Sequence, residues 1–500
     1  MTQATWLGHP RGLVTLFMTE FFERFTYYGM RALLVLFLVA ATSAENAGFG
    51  LSREAAGSVY GLYTGAVYLG SLPGGWIADR LIGQRSAVLW GAVIIMIGNF
   101  ILALPMGPPV FYLGLTVIVV GVGLLKPNIS AIVGELYKDQ PGAKRDAGFS
   151  LFYMGINLGA LLAPLVAGTI GEAWNWRGGF FCAGLFMAMG IVQYKLTEKY
   201  LGDAGLEPHP TSKAERVRGF KILWGASAAI ALLVGLIFAG VIPVNVTTLA
   251  KIVGVAMSVL GIAYFAGVLI FAKLSKEERG RIGVIAIFFL CAALFWAGFE
   301  QAATTFNLFA QDFTNRSLMG GMFPDGVHPA SWYQSANPIF IVIFAPVFAY
   351  MWVALAKRNL DPSAPAKFGL GLVLLGAGFL VMMGAAQLII ASGTLTKVAP
   401  TWLLMTYLLH TFGELCLSPV GLSNVTKLSP PRFVGQMMGT WFLGAALGNL
   451  VAGLVGGHVG SGSVNEMPSQ FLTMAFIGGG AGLLMLVASP WIKKMMGGVR

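Results

Sequence analysis

The chain has 500 residues and is 56% hydrophobic but only 11% charged, against about 25% charged in an ordinary soluble domain, which excludes a string of soluble domains. Its net charge of +11 does not mark a nucleic-acid partner, because the charge follows membrane topology. With the apolar stretches read as alternating spans, 24 of the 32 Lys and Arg fall on one side, 5 on the other (Arg53, Arg177, Lys251, Arg316, Lys397) and 3 within spans (Arg24, Arg31, Lys126), the positive-inside pattern.

Stretches long enough to cross about 30 Å of hydrocarbon predict fourteen spans: 13–40, 54–78, 86–105, 110–136, 147–170, 178–200, 219–241, 247–272, 281–311, 332–356, 367–391, 400–426, 433–457 and 469–492. All are expected to be helical, since a strand facing lipid leaves backbone groups unpaired. Both termini fall on the positive side. The expectation is a multi-pass protein of the cell inner membrane with both termini cytoplasmic. No cleavable signal peptide is expected, because Glu20, Glu23 and Arg24 interrupt the first apolar segment.

The first span carries an energetic anomaly. On a helix, Glu20, Arg24, Tyr27 and Arg31 share one narrow face, with Glu23 and Tyr28 at its flanks. One charge at a helix centre costs about 2.5–3.5 kcal/mol on insertion scales, so the cluster costs on the order of 10 kcal/mol unless it pairs or meets water. A bland reading is a Glu20–Arg24 staple. Two acids and one nearby base leave a carboxylate over, however, and low dielectric favours its protonation while Arg24 opposes it. Such a group is poised to take up and release a proton.

Tyr68 follows in the second span. Lys126 in the fourth lies too deep to snorkel easily, roughly 14 Å from the inner end, after Gly121 and Gly123 and before Pro127, which weakens the local helix. It is expected to meet a carboxylate of the protein, of a substrate, or both. Asn157 offers hydrogen bonds in the fifth span. A cytoplasmic loop near 200–218 carries Lys213, Arg216 and Arg218, and on the opposite face 312–331 is rich in Gly, Pro and polar residues. Glu300 sits among aromatics beside Trp296, Asn337 precedes Pro338, and Glu414 lies one turn beyond His410. Neither Glu300 nor Glu414 has a basic residue within helical reach, so each needs a tertiary or ligand partner. His410 reads as a packing residue rather than a proton relay. Trp441 and Phe442 join Tyr27, Tyr28, Tyr68 and Trp296 as side chains able to line a cavity. Cys182, Cys291 and Cys416 all fall in apolar segments and read as packing residues, with no metal or cofactor implied.

The seventh and eighth spans have no ionisable residue near mid-depth; Lys221 and Lys251 sit at their ends. Removing that pair leaves six spans before and six after. The expected organisation is an N-terminal six-helix bundle over 13–200, an inserted helix pair over 219–272 and a C-terminal six-helix bundle over 281–492. The buried charges then fall on the first and fourth helices of each half, as expected of a transporter built from repeats.

These residues resemble the proton-coupled oligopeptide transporter (POT, or PTR) family of the major facilitator superfamily. Glu20-x-x-Glu23-Arg24-Phe25-x-Tyr27-Tyr28 looks like the family's first-helix signature, and Phe152-Tyr153-Met154-Gly155-Ile156-Asn157-x-Gly159 like its fifth-helix signature. Gly413-Glu414-Leu415-x-x-Ser418-Pro419-x-Gly421 looks like its later one, and Gly75-x-x-x-Asp79-Arg80-x-x-Gly83-x-Arg85 like the superfamily's cytoplasmic loop. The resemblance implies an all-α major facilitator fold: 6+6 transmembrane helices in two pseudo-symmetric bundles, plus the two inserted helices of bacterial members, 14 in total. It implies symport of di- and tripeptides with protons by alternating access, in a functional monomer in the lipid bilayer. Arg24 and Lys126 would bind the peptide carboxylate, and Asn157, Asn337 and Glu414 its ammonium. Glu20, Glu23, Arg24 and Glu300 would handle the proton, with Arg31 pairing Glu300 when the outside is closed. Tyr27, Tyr28, Tyr68, Trp296 and Trp441 would accommodate side chains, and Ser418 would complete the substrate set. Two departures stand out. Ala160 follows Gly159 where the family often has Ser, and span 54–78 lacks the histidine of mammalian members, which implies a proton route built on carboxylates.

A same-class alternative is proton-coupled transport of another small anion or metabolite; a site supplying both charge signs favours a zwitterion. An enzyme is not expected, because no His/Asp/Cys metal cluster or nucleophile–base pair stands in a recognisable setting. A channel would arrange its charges in rings of one sign.

Overall fold

The computed structural model describes all residues except 1–4, 7, 139, 141, 209–211, 324, 394–395, 460–463 and 499–500. A short antiparallel pair, β1 (Thr5–Trp6) and β2 (His9–Pro10), precedes α1 (Gly12–Val39), α2 (Arg53–Ile77), α3 (Gln84–Ala103), α4 (Pro108–Leu136) and α5 (Gly142–Ala163). Next come α6 (Trp176–Thr197), α7 (Lys213–Phe238), α8 (Val246–Phe271), α9 (Lys276–Phe299) and α10 (Thr305–Phe313). The chain closes with α11 (Ala336–Lys357), α12 (Ala364–Ala391), α13 (Thr401–Leu428), α14 (Val434–His458) and α15 (Met467–Met495).

Among the described residues, twelve segments are long and apolar enough to cross a membrane, with α9 and α10 together forming one of them. To these are added α1 and α2, of 28 and 25 residues. At 1.5 Å per residue both exceed the hydrocarbon thickness. All fourteen predicted spans are therefore helical. The charge cluster on α1 raises its polarity, so its place in the fold rests on length and packing.

The chain forms two compact units. One comprises Met1–Leu33, Ser43–Phe49 and Ala66–Leu249. With lipid as solvent, helices gain little by burying apolar surface and instead associate through close backbone approach at small residues. Within this unit a methyl group on Gly74 would lie 1.9 Å from the Gly123 carbonyl oxygen, which brings α2 onto α4. Gly91 and Gly121 do the same for α3 and α4, at 2.7 Å each way. Helix α4 runs through Pro127 without a break. A capping box joins Ser212 to Glu215 at the start of α7, and Arg216 donates to the Leu81 carbonyl at 2.9 Å.

The other unit comprises Leu34–Thr42, Gly50–Gly65 and Ala250–Arg500, so it contains the end of α1 and the first half of α2. Gly57 and Gly61 of α2 meet Gly453 of α14, whose own methyl would lie 2.4 Å from the Gly57 carbonyl. Arg53 forms an ion pair with Asp312 of α10, and Glu54 pairs with Lys251 of α8 at 3.4 Å. Helix α8 also packs Phe265 against Phe289 of α9, the rings tilted with 5.6 Å between centroids. His410 is a packing residue, as expected from sequence: its Nε2 lies 3.1 Å from the Leu375 carbonyl, among Phe299, Phe306 and Phe379. All three cysteines are buried and free.

Candidate functional site

Helix α1 concentrates the charges. Arg24 Nε lies 2.8 Å from Glu20 Oε1 and 2.6 Å from Glu23 Oε2, and none of the three residues is more than 5% exposed. Arg24 staples Glu20 and Glu23 at once, and with both carboxylates ionised the trio would carry one formal negative charge. Glu20 Oε2, Glu23 Oε1 and Arg24 Nη2 lack a hydrogen-bond partner among the described residues. Such groups are costly to bury.

The glycines of α5 press its backbone onto α1. A methyl on Gly159 would lie 2.6 Å from the Phe21 carbonyl oxygen and 2.8 Å from Arg24 Cβ, and one on Gly155 would lie 3.0 Å from Phe17. This contact fixes the depth and rotation of the Arg24 turn. The Arg24 guanidinium sits 5.6 Å from the Tyr27 ring centroid and that of Arg31 sits 5.5 Å from Tyr28, while the two tyrosines meet edge to face. Lys126 lies 4.0 Å from the Tyr68 ring centroid, a cation–π contact, and within electrostatic reach of Glu23. Asn157 is buried and donates to the Tyr153 carbonyl one turn back, at 3.0 Å. In this structure its amide therefore serves its own helix.

The second set lies wholly in the other unit. Helix α9 ends at Phe299, a 3₁₀ turn covers Glu300–Ala303, and Thr304 (φ −117°, ψ −88°) re-aims the chain into α10. The break falls on Glu300 itself, with no proline to cause it. Tyr60 of α2 donates its hydroxyl to Glu300 Oε2 at 3.3 Å, with both residues buried. On α13, Glu414 Oε2 accepts from Asn337 Nδ2 at 3.0 Å, and the same amide also donates to Thr411 Oγ1 at 3.0 Å. Glu414 lies within electrostatic reach of Glu300. Trp296 is half-buried, edge-on to Phe295 and Phe299. Trp441 is buried against Gly421, where a methyl would lie 2.1 Å from its ring. Ser418 is half-buried one turn beyond Glu414, and the Pro419 side chain lies outside the described residues.

The expected residues thus gather into two sets, one in each unit. Sequence reasoning missed Tyr60, Thr411 and the Tyr68–Lys126 contact; residues this far apart in the chain share no local pattern. Among the described residues, no group of three His, Cys, Asp or Glu could hold a metal ion.

Residues 85–469 match the family model described as POT family. A peptide transporter of Yersinia enterocolitica is 41% identical, covering 98% of this chain and 96% of the relative. A di-/tripeptide transporter of Lactococcus lactis subsp. cremoris is 36% identical over 100% of this chain and 99% of its own. Among solved structures, a peptide transporter POT in complex with sulfate superposes with a TM-score of 0.89 at 39% identity, covering 99% of this chain and 97% of that one.

Proposed function

The chain belongs to the POT family, and from that premise we propose that it is a secondary active symporter importing di- and tripeptides with protons by alternating access. The observation that carries the reading is Arg24 held by two buried carboxylates at 2.8 and 2.6 Å. With Lys126 added, the set Glu20, Glu23, Arg24 and Lys126 is formally neutral. A peptide carboxylate arriving at Arg24 and Lys126 adds one negative charge in low dielectric, and protonation of Glu20 or Glu23 removes it. Binding of one ligand thereby favours binding of the other, which is thermodynamic coupling.

Glu414, held by a neutral amide, supplies the opposite charge for the peptide ammonium, together with Asn337 and Asn157. Tyr27, Tyr28, Tyr68, Trp296, Ser418 and Trp441 accommodate the rest of the substrate. Glu300 takes the second proton-linked role: in the outward-closed state Arg31 pairs it, and Tyr60 keeps its hydrogen bond. The Arg53–Asp312 ion pair and the Tyr60–Glu300 bond tie the outer half of α2 to α9 and α10, so opening to the outside breaks them. In this reading the moving bundles are 13–200 and 281–492, with 219–272 as the inserted pair. The protein works as a monomer in the cell inner membrane with both termini cytoplasmic, needs no cofactor and catalyses no covalent step.

A thermal-shift screen of purified protein tests the substrate class, because a ligand stabilises the state it binds. Dialanine and trialanine should raise the unfolding midpoint. A shift from small organic anions but from no peptide would instead favour transport of another metabolite.

A further inference from the structure

A cavity of about 620 Å³ opens at the positive-side end of the second unit, where the α11–α12 turn meets the ends of α13 and α15. Its walls carry Lys367, Lys427 and Lys493 against a single acid, Asp361, a formal excess of two positive charges. Lys367 is paired with Asp361 at 2.8 Å and lies 4.5 Å from the Trp352 ring centroid, the kind of aromatic that marks the headgroup level. Ser363 is the N-cap of the 28-residue α12 but its side chain makes no capping bond, and Ser363 and Ala364 line the cavity, so the start of that helix, with the positive end of its dipole, lies at the wall. Asn424 also lines the cavity and is only 6% exposed. Its Nδ2 donates to the Val420 carbonyl at 2.8 Å, while its Oδ1 has no partner among the described residues.

We infer that this cavity is a binding site for a hydroxyl-bearing phosphate ester. The volume suits a small molecule or one headgroup and is too small for a folded partner. Two excess lysine charges and an uncapped helix start favour an anion with several acceptor oxygens, which is what a phosphate presents. The orphan Asn424 oxygen asks for a donor, which a fully deprotonated anion such as sulfate lacks and a glycerol hydroxyl supplies. None of these residues belongs to the two sets assigned to peptide and proton, so the site stands whether or not the transport reading does. The same chemistry reaches it from two sources: the headgroup of an anionic phospholipid in the adjacent leaflet, where basic pockets between membrane helices recognise such groups, or a soluble glycerol phosphate.

The test uses the full chain purified in detergent, with the thermal unfolding midpoint as readout. Dioctanoyl phosphatidylglycerol, dioctanoyl phosphatidylcholine and glycerol 3-phosphate are titrated separately. The phosphatidylglycerol should raise the midpoint saturably by a few degrees, and the phosphatidylcholine should not. A glycerol 3-phosphate shift of the same size supports the site and assigns it a soluble ligand; a shift from the lipid alone assigns it to the membrane. The double variant Lys427→Gln/Lys493→Gln should lose the shift, and Lys427→Arg/Lys493→Arg should retain it. No shift from either phosphate, an equal shift from phosphatidylcholine, or an undiminished shift in the glutamine variant overturns the inference.

Discussion

Tyr60 donates its hydroxyl to Glu300 Oε2 at 3.3 Å, at the point where α9 gives way to a 3₁₀ turn. The bond joins the outer half of α2 to the carboxylate that directly follows α9 inside the apolar span. It lets Glu300 feel any movement of α2. Replacing Glu300 with Gln keeps the shape and removes the titration. Gradient-driven uptake by E300Q should be abolished while peptide counterflow persists; equal loss of both would make Glu300 a binding or folding residue. Tyr60→Phe removes one hydrogen bond of about 0.5–1.5 kcal/mol. It should alter the rate of gradient-driven uptake by roughly twofold to tenfold, with counterflow affinity unchanged.

Gly159 is predicted to be intolerant of any side chain. A methyl there would press on the Phe21 carbonyl oxygen at 2.6 Å and on Arg24 Cβ at 2.8 Å. Backbone cannot give way as a flexible side chain can, so Gly159→Ala should cost about 1–3 kcal/mol of stability and displace Arg24. Its unfolding midpoint should fall and the shift induced by dialanine should shrink. Gly225→Ala on α7, where nothing lies within 4 Å, serves as the control: it should not lower the midpoint, since Ala favours a helix over Gly, and should leave the dialanine shift intact.

Lys126 is predicted to recognise the peptide carboxylate from its place beside Tyr68. Lys126→Ala should weaken binding of free dialanine far more than of its C-terminal amide, in competition for labelled peptide uptake. An equal loss for both would contradict that role.

The span pattern, the charge cluster of α1 and the Asn337 and Glu414 positions were legible because each is a local departure from an apolar background. So was the packing role of His410. The break at Glu300 was not: the sequence there lacks proline, and only the tertiary setting reveals it. Helix α4 continues through Pro127, which membrane helices tolerate when neighbouring elements re-satisfy the freed backbone group. Tyr60 carries no local signal, since its meaning depends on a partner 240 residues away. The bond of Asn157 Nδ2 to the Tyr153 carbonyl of its own helix was not legible in the sequence either.

His328 lies in the outer connection before α11, with its Nε2 3.1 Å from the Tyr333 hydroxyl and its carbonyl accepting from Arg316. Burial, and to a lesser degree the Arg316 charge, lowers its pKa below the usual 6.5. The unfolded chain therefore takes up a proton on this residue at higher pH than the folded one. Stability is kept above about 6.5 and lost as pH falls from there through the folded value. Midpoints measured from about pH 7.5 to about 5.5 should fall less steeply for His328→Gln than for the unaltered chain. Parallel curves would contradict this assignment.

The claim that Arg24 and its two carboxylates join peptide to proton is tested most directly by uptake into proteoliposomes. With an inward proton gradient, labelled dialanine should accumulate above its external concentration, and a protonophore should collapse that accumulation to equilibrium. Accumulation that survives the protonophore would contradict the account.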